Sequence, residues 1–342
     1  MTQQWRTDIL PGFDATDLDL DASRAAGEEV DPVATLVRSH LPVSTDRCVL
    51  YVHGWNDYFF QRHLADYWTE RGRRFYALDL RRYGRSLRPT QLSGFITDLS
   101  EYDTELDAAM EVLSAEHDEV VLMGHSTGGL ITALWAGRHP DRIAGLVLNS
   151  PWLELQGSAM IRTLSTPVID ALGVRNATGI IRLPDAGLYA RALHVSRDGE
   201  WDYDLDLKAS PSPPVRVGWL RAILRGHQQV ARGLGIQAPV LVLTSDRTDF
   251  RRRWSEDLRR VDSVLDVEQI AARAPRLGRC VTVVRVPGGL HDLVLSEPDA
   301  RAQTFVEIDR WARGYLDDGA ATGGPRRDTE NRSVTMGHGR RT

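Results

Sequence analysis

The chain has 342 residues and a formal net charge of −5 at pH 7, with 42% hydrophobic and 26% charged residues. These fractions are ordinary for a globular protein, and the length suits one large α/β domain with an insertion, or two small domains. The mild acidic balance gives no support to binding of nucleic acid or of an anionic membrane surface. No apolar run approaches the length needed to cross a bilayer.

The amino-terminal residues are polar and acidic, without the basic and apolar regions of a targeting segment. We therefore expect a soluble, cytoplasmic protein. The two cysteines, Cys48 and Cys280, lie in apolar, strand-like runs, which favours buried, reduced thiols and a reducing compartment. The sequence alone leaves a disulfide between them open.

Strands and helices alternate through the first 150 residues. Two opening strands are predicted near Trp5–Leu10 and Thr35–Leu41, joined by an acidic stretch rich in small residues. The elements that follow are a buried strand at Cys48–Val52, a helix at Phe59–Arg71, a strand at Phe75–Leu80, an amphipathic helix at Ile96–Ala115, a strand beginning at Glu119, a helix at Leu130–Trp135 and a strand at Ile143–Asn149. Such alternation predicts a mostly parallel sheet with helices on both faces.

The alternation stops between about Trp152 and Gln237, where helical pieces such as Val217–Gly233 are mixed with loops. Strands return at Val240–Thr244 and Val281–Val286, and a terminal helix is predicted at Pro298–Tyr315.

The predicted domain organisation follows from this break. We predict a core of residues 1–151 and 238–317, with residues 152–237 inserted between two strands as a cap over the carboxyl edge of the sheet. An independent second domain is the alternative, and the return of strands and helices argues against it. The tail, residues 318–342, has almost no apolar residues and is predicted to be disordered.

The strand at Glu119 and the helix after it enclose Gly124-His125-Ser126-Thr127-Gly128, a Gly-x-Ser-x-Gly pattern. A strand that turns at once into a helix forces a strained bend at the serine, and flanking glycines remove the Cβ atoms that would clash there. The bend exposes the Ser126 hydroxyl and puts the Thr127 amide at a helix N-terminus, where it can donate to an anion. In this context the pattern predicts that Ser126 is a nucleophile and not merely a helix cap.

A serine nucleophile needs a base, and the base needs a group that orients it. Reacting groups in doubly wound sheets collect past the carboxyl ends of the strands, where only His53, His125 and His291 are found among the histidines. His125 is adjacent to Ser126, so its side chain should point away, and His53 precedes Ser126, whereas the expected order is serine, acid, histidine. His291, which follows the last predicted strand through a Gly-Gly turn, is the predicted base.

Two aspartates compete for the orienting carboxylate. Asp246 comes just after the end of its strand, whereas Asp262 opens an Asp-x-Val-Leu-x-Val segment that leads into a helix and leaves room for one helix and one strand before His291. We favour Asp262 and keep Asp246 as the alternative. Asp249 and Asp266 come behind both, because a helix cap or a solvated charge explains them.

These segments resemble an α/β-hydrolase over about residues 5–316. The matching pieces are His53-Gly54-Trp55, Asp79–Ser86, Gly124–Gly129, Asp262–Asp266 and Gly289-Leu290-His291. Within that superfamily the chain is most similar to the monoacylglycerol lipase and lysophospholipase group, which is grouped with serine aminopeptidase-like hydrolases.

The resemblance implies an α/β-hydrolase fold with a mostly parallel, eight-stranded sheet flanked by helices. It also implies an oxyanion hole made by the backbone amides of Trp55 and Thr127. The long Ser245–Arg260 stretch departs from the family pattern, which is why Asp246 stays open as the acid.

The implied reaction is acyl transfer to water through an acyl-serine, with Ser126, His291 and Asp262 as the triad. The predicted cap carries apolar and aromatic residues that could line an acyl-chain pocket, namely Trp152, Leu153, Leu155, Met160, Ile161, Ile180, Ile181, Leu188, Tyr189, Trp201, Tyr203, Trp219 and Leu220. Such an apolar cap favours a lipid-like ester, of lysophospholipase or monoacylglycerol lipase type, over a peptide. A short-chain carboxylesterase, a thioesterase or a peptidase of the same fold is the alternative, and a catalytically weak ligand-binding protein is an alternative of another class. No metal-ligand spacing, dinucleotide fingerprint or phosphate loop stands out, so we predict no cofactor and no metal.

Overall fold

The structure is a computed structural model that describes residues 3–21, 24–25, 27–41, 45–156, 169–181 and 187–317. Its strands, in chain order, are β1 (Arg6–Thr7), β2 (Phe13–Asp19), β3 (Val33–Ser39), β4 (Arg47–Val52), β5 (Arg74–Asp79), β6 (Glu119–His125), β7 (Gly145–Asn149), β8 (Ile180–Ile181), β9 (Val215–Arg216), β10 (Val240–Ser245) and β11 (Val281–Val286). The short strands β8 and β9 pair only with each other. The other strands form the central sheet.

Within the described ranges this sheet has nine strands, in the order β1-β2-β3-β5-β4-β6-β7-β10-β11. The six strands β5-β4-β6-β7-β10-β11 pair in parallel, and β3, β2 and β1 extend the sheet beyond β5 through antiparallel pairings. The predicted mostly parallel α/β-hydrolase sheet is confirmed. The parallel strands end on the same edge, which brings the loops after β4, β6, β10 and β11 together.

The sheet has nine strands and not eight because β2 occupies the acidic stretch that the sequence analysis treats as a connection. Its buried residues include Phe13 and Leu18. Its acidic residues face basic neighbours instead, as in the pair Asp14–Arg38 at 3.2 Å. An edge region can therefore hold a strand with many aspartates, because cross-strand cations offset their charge.

The helices are α1 (Arg62–Glu70), α2 (Asp103–Ser114), α3 (Thr127–Arg138), α4 (Leu188–Leu193), α5 (Val217–Arg232), α6 (Val267–Arg273) and α7 (Pro298–Ala312). Residues 169–175 are also helical. The helix predicted at Ile96–Ala115 is shorter than expected, because a single 3₁₀ turn at Leu99–Tyr102 precedes α2. The other predicted helices lie where the pattern puts them, with ends shifted by a few residues.

The central strands of the sheet are buried on both faces. In β4, Cys48, Leu50 and Val52 belong to one hydrophobic cluster, whereas Val49 and Tyr51 belong to another. Side chains alternate across a strand, so a strand covered on both faces is apolar throughout. Helices α2, α3, α5 and α6 contribute to the first cluster, and α1, α4 and α7 to the second. This layering fixes the edge of the sheet at which the site assembles.

The cysteines differ in burial. Cys48 lies in the central strand β4 and is fully buried, but Cys280 is only half-buried because it precedes β11, which is the edge strand of the sheet. Both thiols are free, so no disulfide joins them. The expectation of two buried thiols is wrong for Cys280.

Residues 150–239 leave the sheet between β7 and β10, and the described parts of this segment include α4, α5 and the β8–β9 pair. The tail predicted to be disordered, residues 318–342, lies outside the described residues. In the described ranges no helix combines the length and the apolar character that a membrane span needs.

Candidate active site

Ser126 stands at the junction of β6 and α3, in a left-handed conformation with φ of 54° and ψ of −117°. Such a conformation is costly for a residue with a side chain and persists only where the surroundings impose it. The packing around Gly128, the last glycine of the motif, is especially close. A Cβ atom on Gly128 would lie 2.2 Å from the carbonyl oxygen of His53. The turn therefore packs directly against the end of β4.

We expect Gly128→Ala to lower the free energy of unfolding by about 1–3 kcal/mol, because the added methyl group meets backbone atoms that cannot move aside cheaply. Urea unfolding followed by circular dichroism measures the change. Gly314→Ala is the matched control, since a Cβ atom there has nothing within 4 Å. Equal stabilities of the two variants would contradict this account of the turn.

His291 follows β11 and is buried, with 3% of its side chain exposed. Its Nε2 lies 3.0 Å from the Oγ of Ser126, and its Nδ1 lies 2.9 Å from an oxygen of Asp262. Both distances are within hydrogen-bonding range. The structure thus brings together three residues that are 165 and 29 positions apart in the chain.

Asp262 is fully buried, and its second carboxylate oxygen accepts hydrogen bonds from the amides of Val264 at 2.8 Å and Leu265 at 2.7 Å. Two backbone hydrogen bonds hold Asp262 in place. Its amide donates to the carbonyl oxygen of Arg247, and its carbonyl oxygen accepts from the amide of Asp249. The arginine-rich stretch after β10 therefore loops out and returns to its starting point. This return carries Asp262 back to the end of β10.

The other candidate acids have different partners. Asp246 accepts a hydrogen bond from the amide of Gly288 at 3.2 Å, in the turn after β11. Asp249 pairs with Arg251, and Asp266 caps the first turn of α6. None of the three contacts His291 within the described part of the chain.

The predicted oxyanion-hole amides belong to Trp55 and Thr127. Thr127 is the first residue of α3. Trp55 follows Gly54, and a Cβ atom on Gly54 would lie 3.0 Å from the Cβ of Ser126, so this loop lies against the serine. No residue of the described ranges accepts a hydrogen bond from either amide. Neither N–H group has a competing acceptor there, which the predicted oxyanion-hole role requires.

His125 differs from expectation. Its ring does not turn away from the site but lies beside His291, with the ring centroids 4.9 Å apart. Its Nδ1 is 3.1 Å from the carbonyl oxygen of Asn149. Burial lowers the pKa of His125 below its ordinary value, against the opposing charge of Asp292, so the ring is neutral at neutral pH.

The sequence analysis misses a buried polar cluster beside the serine. Asp57, His125 and Asp292 each offer a donor atom within 4.8 Å of the others, a grouping that could hold a metal ion. Lys208 already supplies a positive charge there, with its Nζ 2.6 Å from Asp57. One signal could have drawn attention to it, because Lys208 is the only lysine in a chain rich in arginine. The absence of a metal remains a prediction.

A cavity of about 910 Å³ opens above the serine. Of the residues that the sequence analysis proposes for an acyl pocket, the described ones that line it are Ile180, Ile181, Leu188, Tyr189 and Tyr203. Others make core contacts instead, as Leu153 and Trp219 do, and Met160 and Ile161 lie outside the described residues. Phe250 and the proline-rich residues 211–214 also line the cavity and were not predicted.

Four oxygen atoms of the cavity wall are buried without a hydrogen-bond partner among the described residues. They are an oxygen of Asp57, the phenol oxygens of Tyr189 and Tyr203, and the hydroxyl oxygen of Ser263. Burial, reinforced by the charge of Asp292, raises the pKa of Tyr189 well above its ordinary value, so this phenol keeps its proton. A buried polar atom without a partner is costly, and a polar ligand would relieve that cost.

Comparison with known proteins covers most of the chain. A family model described as serine aminopeptidase, S33 (Hydrolase_4) matches residues 44–299. A monoacylglycerol lipase of Mycolicibacterium smegmatis is 26% identical over 275 residues, which cover 78% of this chain and 88% of that protein. The 1-acylglycerol-3-phosphate O-acyltransferase ABHD5 of Sus scrofa is 35% identical over 79 residues. This chain spans only 22% of that protein's length.

Among solved structures, a soluble variant of monoglyceride lipase from Saccharomyces cerevisiae, in complex with a substrate analog, aligns with a TM-score of 0.63. The alignment covers 87% of this chain and 98% of that chain, at 14% sequence identity. At this identity the likeness supports the fold alone.

Proposed function

The chain belongs to the serine aminopeptidase S33 (Hydrolase_4) family of α/β-hydrolases, and from this we propose that it hydrolyses carboxylic esters of single-chain lipids through an acyl-enzyme on Ser126. The observation that carries the proposal is the position of His291, within hydrogen-bonding distance of both Ser126 and Asp262. A serine, an imidazole and a carboxylate in this order can activate an alcohol at neutral pH.

In the proposed reaction the Ser126 oxygen attacks the ester carbonyl while His291 takes the serine proton at Nε2. The carbonyl oxygen becomes an anion that accepts hydrogen bonds from the amides of Trp55 and Thr127. The bond to the alcohol then breaks, and His291 returns the proton to the leaving oxygen. Water repeats the sequence on the acyl-serine, with Asp262 holding the imidazole in the required orientation throughout.

The cavity supports a lipid-like ester. Its outer wall is largely apolar and includes Ile180, Leu188, Val215 and Phe250, which suits an acyl chain. The unpartnered oxygens of Asp57, Tyr189 and Tyr203 suit the hydroxyl groups of a polar head. A monoacylglycerol or a lysophospholipid has both parts. We propose that residues 152–237 act as a cap that supplies most of this wall.

The family description also suggests a peptidase activity, but the residues of the cavity give that activity less support. An aminopeptidase must hold a substrate ammonium group, for which a free carboxylate is the usual partner. Asp57 is a buried carboxylate of the cavity wall, but Lys208 already neutralises it at 2.6 Å. An uncharged or zwitterionic ester fits this balance better.

A substrate panel tests the proposal. We expect kcat/KM to rise with acyl chain length across p-nitrophenyl esters from acetate to dodecanoate, because each buried CH₂ group contributes about 0.8 kcal/mol. Monoacylglycerols and lysophosphatidylcholine should be hydrolysed faster than a diacylglycerol of the same acyl chain. Ile180→Ser should flatten the dependence on chain length. Val306→Ser, a similarly exposed residue on α7, is the matched control.

A preference for acetate over all longer esters would favour a short-chain carboxylesterase. Faster cleavage of an aminoacyl p-nitroanilide than of any ester would favour a peptidase. Folded protein that binds long-chain esters but turns none over would favour the ligand-binding alternative. Each of these results contradicts the proposed substrate class.

A further inference from the structure

The only lysine of the chain lies in the wall of the cavity, and its partner lies in the loop that carries the Trp55 amide. The Nζ of Lys208 is 2.6 Å from an oxygen of Asp57. The Lys208 side chain is 9% exposed and that of Asp57 is 1% exposed. Lys208 comes from the segment between β7 and β10, whereas Asp57 is five residues beyond the end of β4. The ion pair therefore joins two parts of the chain that meet beside the serine.

The lysine favours the ionised form of its partner. Burial alone would raise the pKa of the Asp57 carboxyl, but the ammonium group of Lys208 outweighs burial and holds the pKa below its ordinary value. The ammonium group also lies 5.5 Å from the ring centroid of Phe60 and 5.7 Å from that of Tyr203. Removal of Lys208 would leave a buried carboxylate without its cation, which forces a local rearrangement.

Neighbouring residues make the same connection. The side-chain amide of Asn56 donates to the carbonyl oxygen of Ala209 at 2.7 Å and accepts from the amide of Ala209 at 3.1 Å. The amide of Asp204 donates to the phenol oxygen of Tyr58 at 2.9 Å. Three consecutive residues of the loop, 56–58, thus each bind residues 204–209.

The other side of the loop packs closely against the serine. Gly54 packs against Ser126 so closely that a Cβ atom there would lie 3.0 Å from the serine Cβ. Asn56 holds a left-handed conformation, with φ of 49°. Trp55 lies between these two constraints, and its ring packs on Trp219, with the ring centroids 4.1 Å apart. The Trp55 N–H thus lies between Gly54, which packs against the serine, and residues 56 and 57, which bind residues 204–209.

We propose that Lys208 is a positioning residue, which acts through its ion pair with Asp57 to hold the loop that presents the Trp55 amide to the reacting carbonyl oxygen. This role rests on the proposed ester hydrolysis. An oxyanion-hole donor acts on charge that develops only in the transition state, so its displacement lowers kcat more than it raises KM. Loss of such a donor costs about 10²–10³ in kcat, and a shift of it costs less.

Lys208→Met removes the charge and keeps a long side chain. We expect it to lower kcat for p-nitrophenyl ester hydrolysis by about 10-fold to 100-fold, with KM changed by less than about threefold. The rate constant for reaction with a fluorophosphonate probe should fall in parallel, because that reaction also develops an anion at the same amides. Lys208→Arg keeps the charge and should retain more of kcat than Lys208→Met.

Two further variants separate positioning from stability. Arg73→Met breaks another largely buried ion pair, with Glu119, at the amino ends of the strands. It should lower the unfolding midpoint as Lys208→Met does but leave kcat within about twofold. The double variant Asp57→Asn with Lys208→Met should lose no more kcat than Lys208→Met alone, because the lysine acts through this aspartate.

A Lys208→Met protein with normal kcat, or equal losses in Lys208→Met and Lys208→Arg, would overturn the positioning role alone. A parallel loss of kcat in Arg73→Met would overturn it as well, since general destabilisation would then explain the effect. Unaltered protein that neither hydrolyses esters nor reacts with the fluorophosphonate would overturn the proposed function and this role together. Kinetics and probe labelling of the full chain therefore distinguish the two failures.

Discussion

Replacement of Ser126 by alanine should lower kcat for ester hydrolysis by roughly a million-fold and abolish covalent labelling by a fluorophosphonate. The reason is geometric. Ser126 is the residue whose hydroxyl lies 3.0 Å from the imidazole of His291, and no acyl-enzyme can form without that hydroxyl. The folded state should persist, because the strained turn is held by β6, α3 and the close packing of Gly128 against β4. Steady-state kinetics and mass spectrometry of the labelled protein measure both effects.

Ser263→Ala provides the control for the Ser126 variant. Ser263 also lines the cavity and its hydroxyl oxygen is buried, but this oxygen has no hydrogen-bond partner among the described residues. Its loss should leave labelling intact and kcat within a few-fold. Labelling of the Ser126→Ala protein at wild-type rate, or a loss of labelling in Ser263→Ala, would place the nucleophile elsewhere.

Asp262→Asn should lower kcat by about 10⁴-fold with little loss of stability. Asp262 uses one oxygen for the Nδ1 of His291 and the other for the amides of Val264 and Leu265. An asparagine oxygen can still accept from those amides, so the loop should keep its shape. Its NH₂ group would then face His291 and require an acceptor at Nδ1, which moves the ring proton to Nε2. A protonated Nε2 cannot take the proton of Ser126.

Asp246→Asn is the matched change. Asp246 directly follows β10, the strand to whose end Asp262 also returns, and it accepts a hydrogen bond from the amide of Gly288. It should leave kcat within about threefold. The kinetics of both variants, measured with a p-nitrophenyl ester under the same conditions, decide between the two acids. A crippled Asp246→Asn beside a normal Asp262→Asn would reverse the assignment.

Local sterics explain why the sequence alone predicted most of the sheet and the serine turn. A buried strand such as β4 must be apolar throughout, and a strand that bends at once into a helix needs glycine at positions like Gly128. These signals occupy a few consecutive residues and do not depend on distant parts of the chain. The strand β2 was not predicted because its aspartates obscure the alternation of apolar and polar residues that is typical of a strand. The cations that pair with these aspartates lie on other strands.

The choice between the candidate acids was open in the sequence and depends on long-range pairing. Asp262 reaches His291 because its backbone bonds to Arg247 and Asp249, so that the arginine-rich loop closes at the end of β10. Loop closure costs entropy that grows only slowly with length, and spacing along the chain therefore says little about where a loop ends.

The ion pair of Lys208 with Asp57 joins residues 151 positions apart, and no local pattern marks it. The amino-acid sequence by itself determined which segments become most of the strands and helices and which serine stands at a strained turn, because those depend on neighbours in the chain. Only the tertiary structure decided which carboxylate meets His291 and which cation meets Asp57, because burial makes a charge depend on groups that folding brings within a few ångströms.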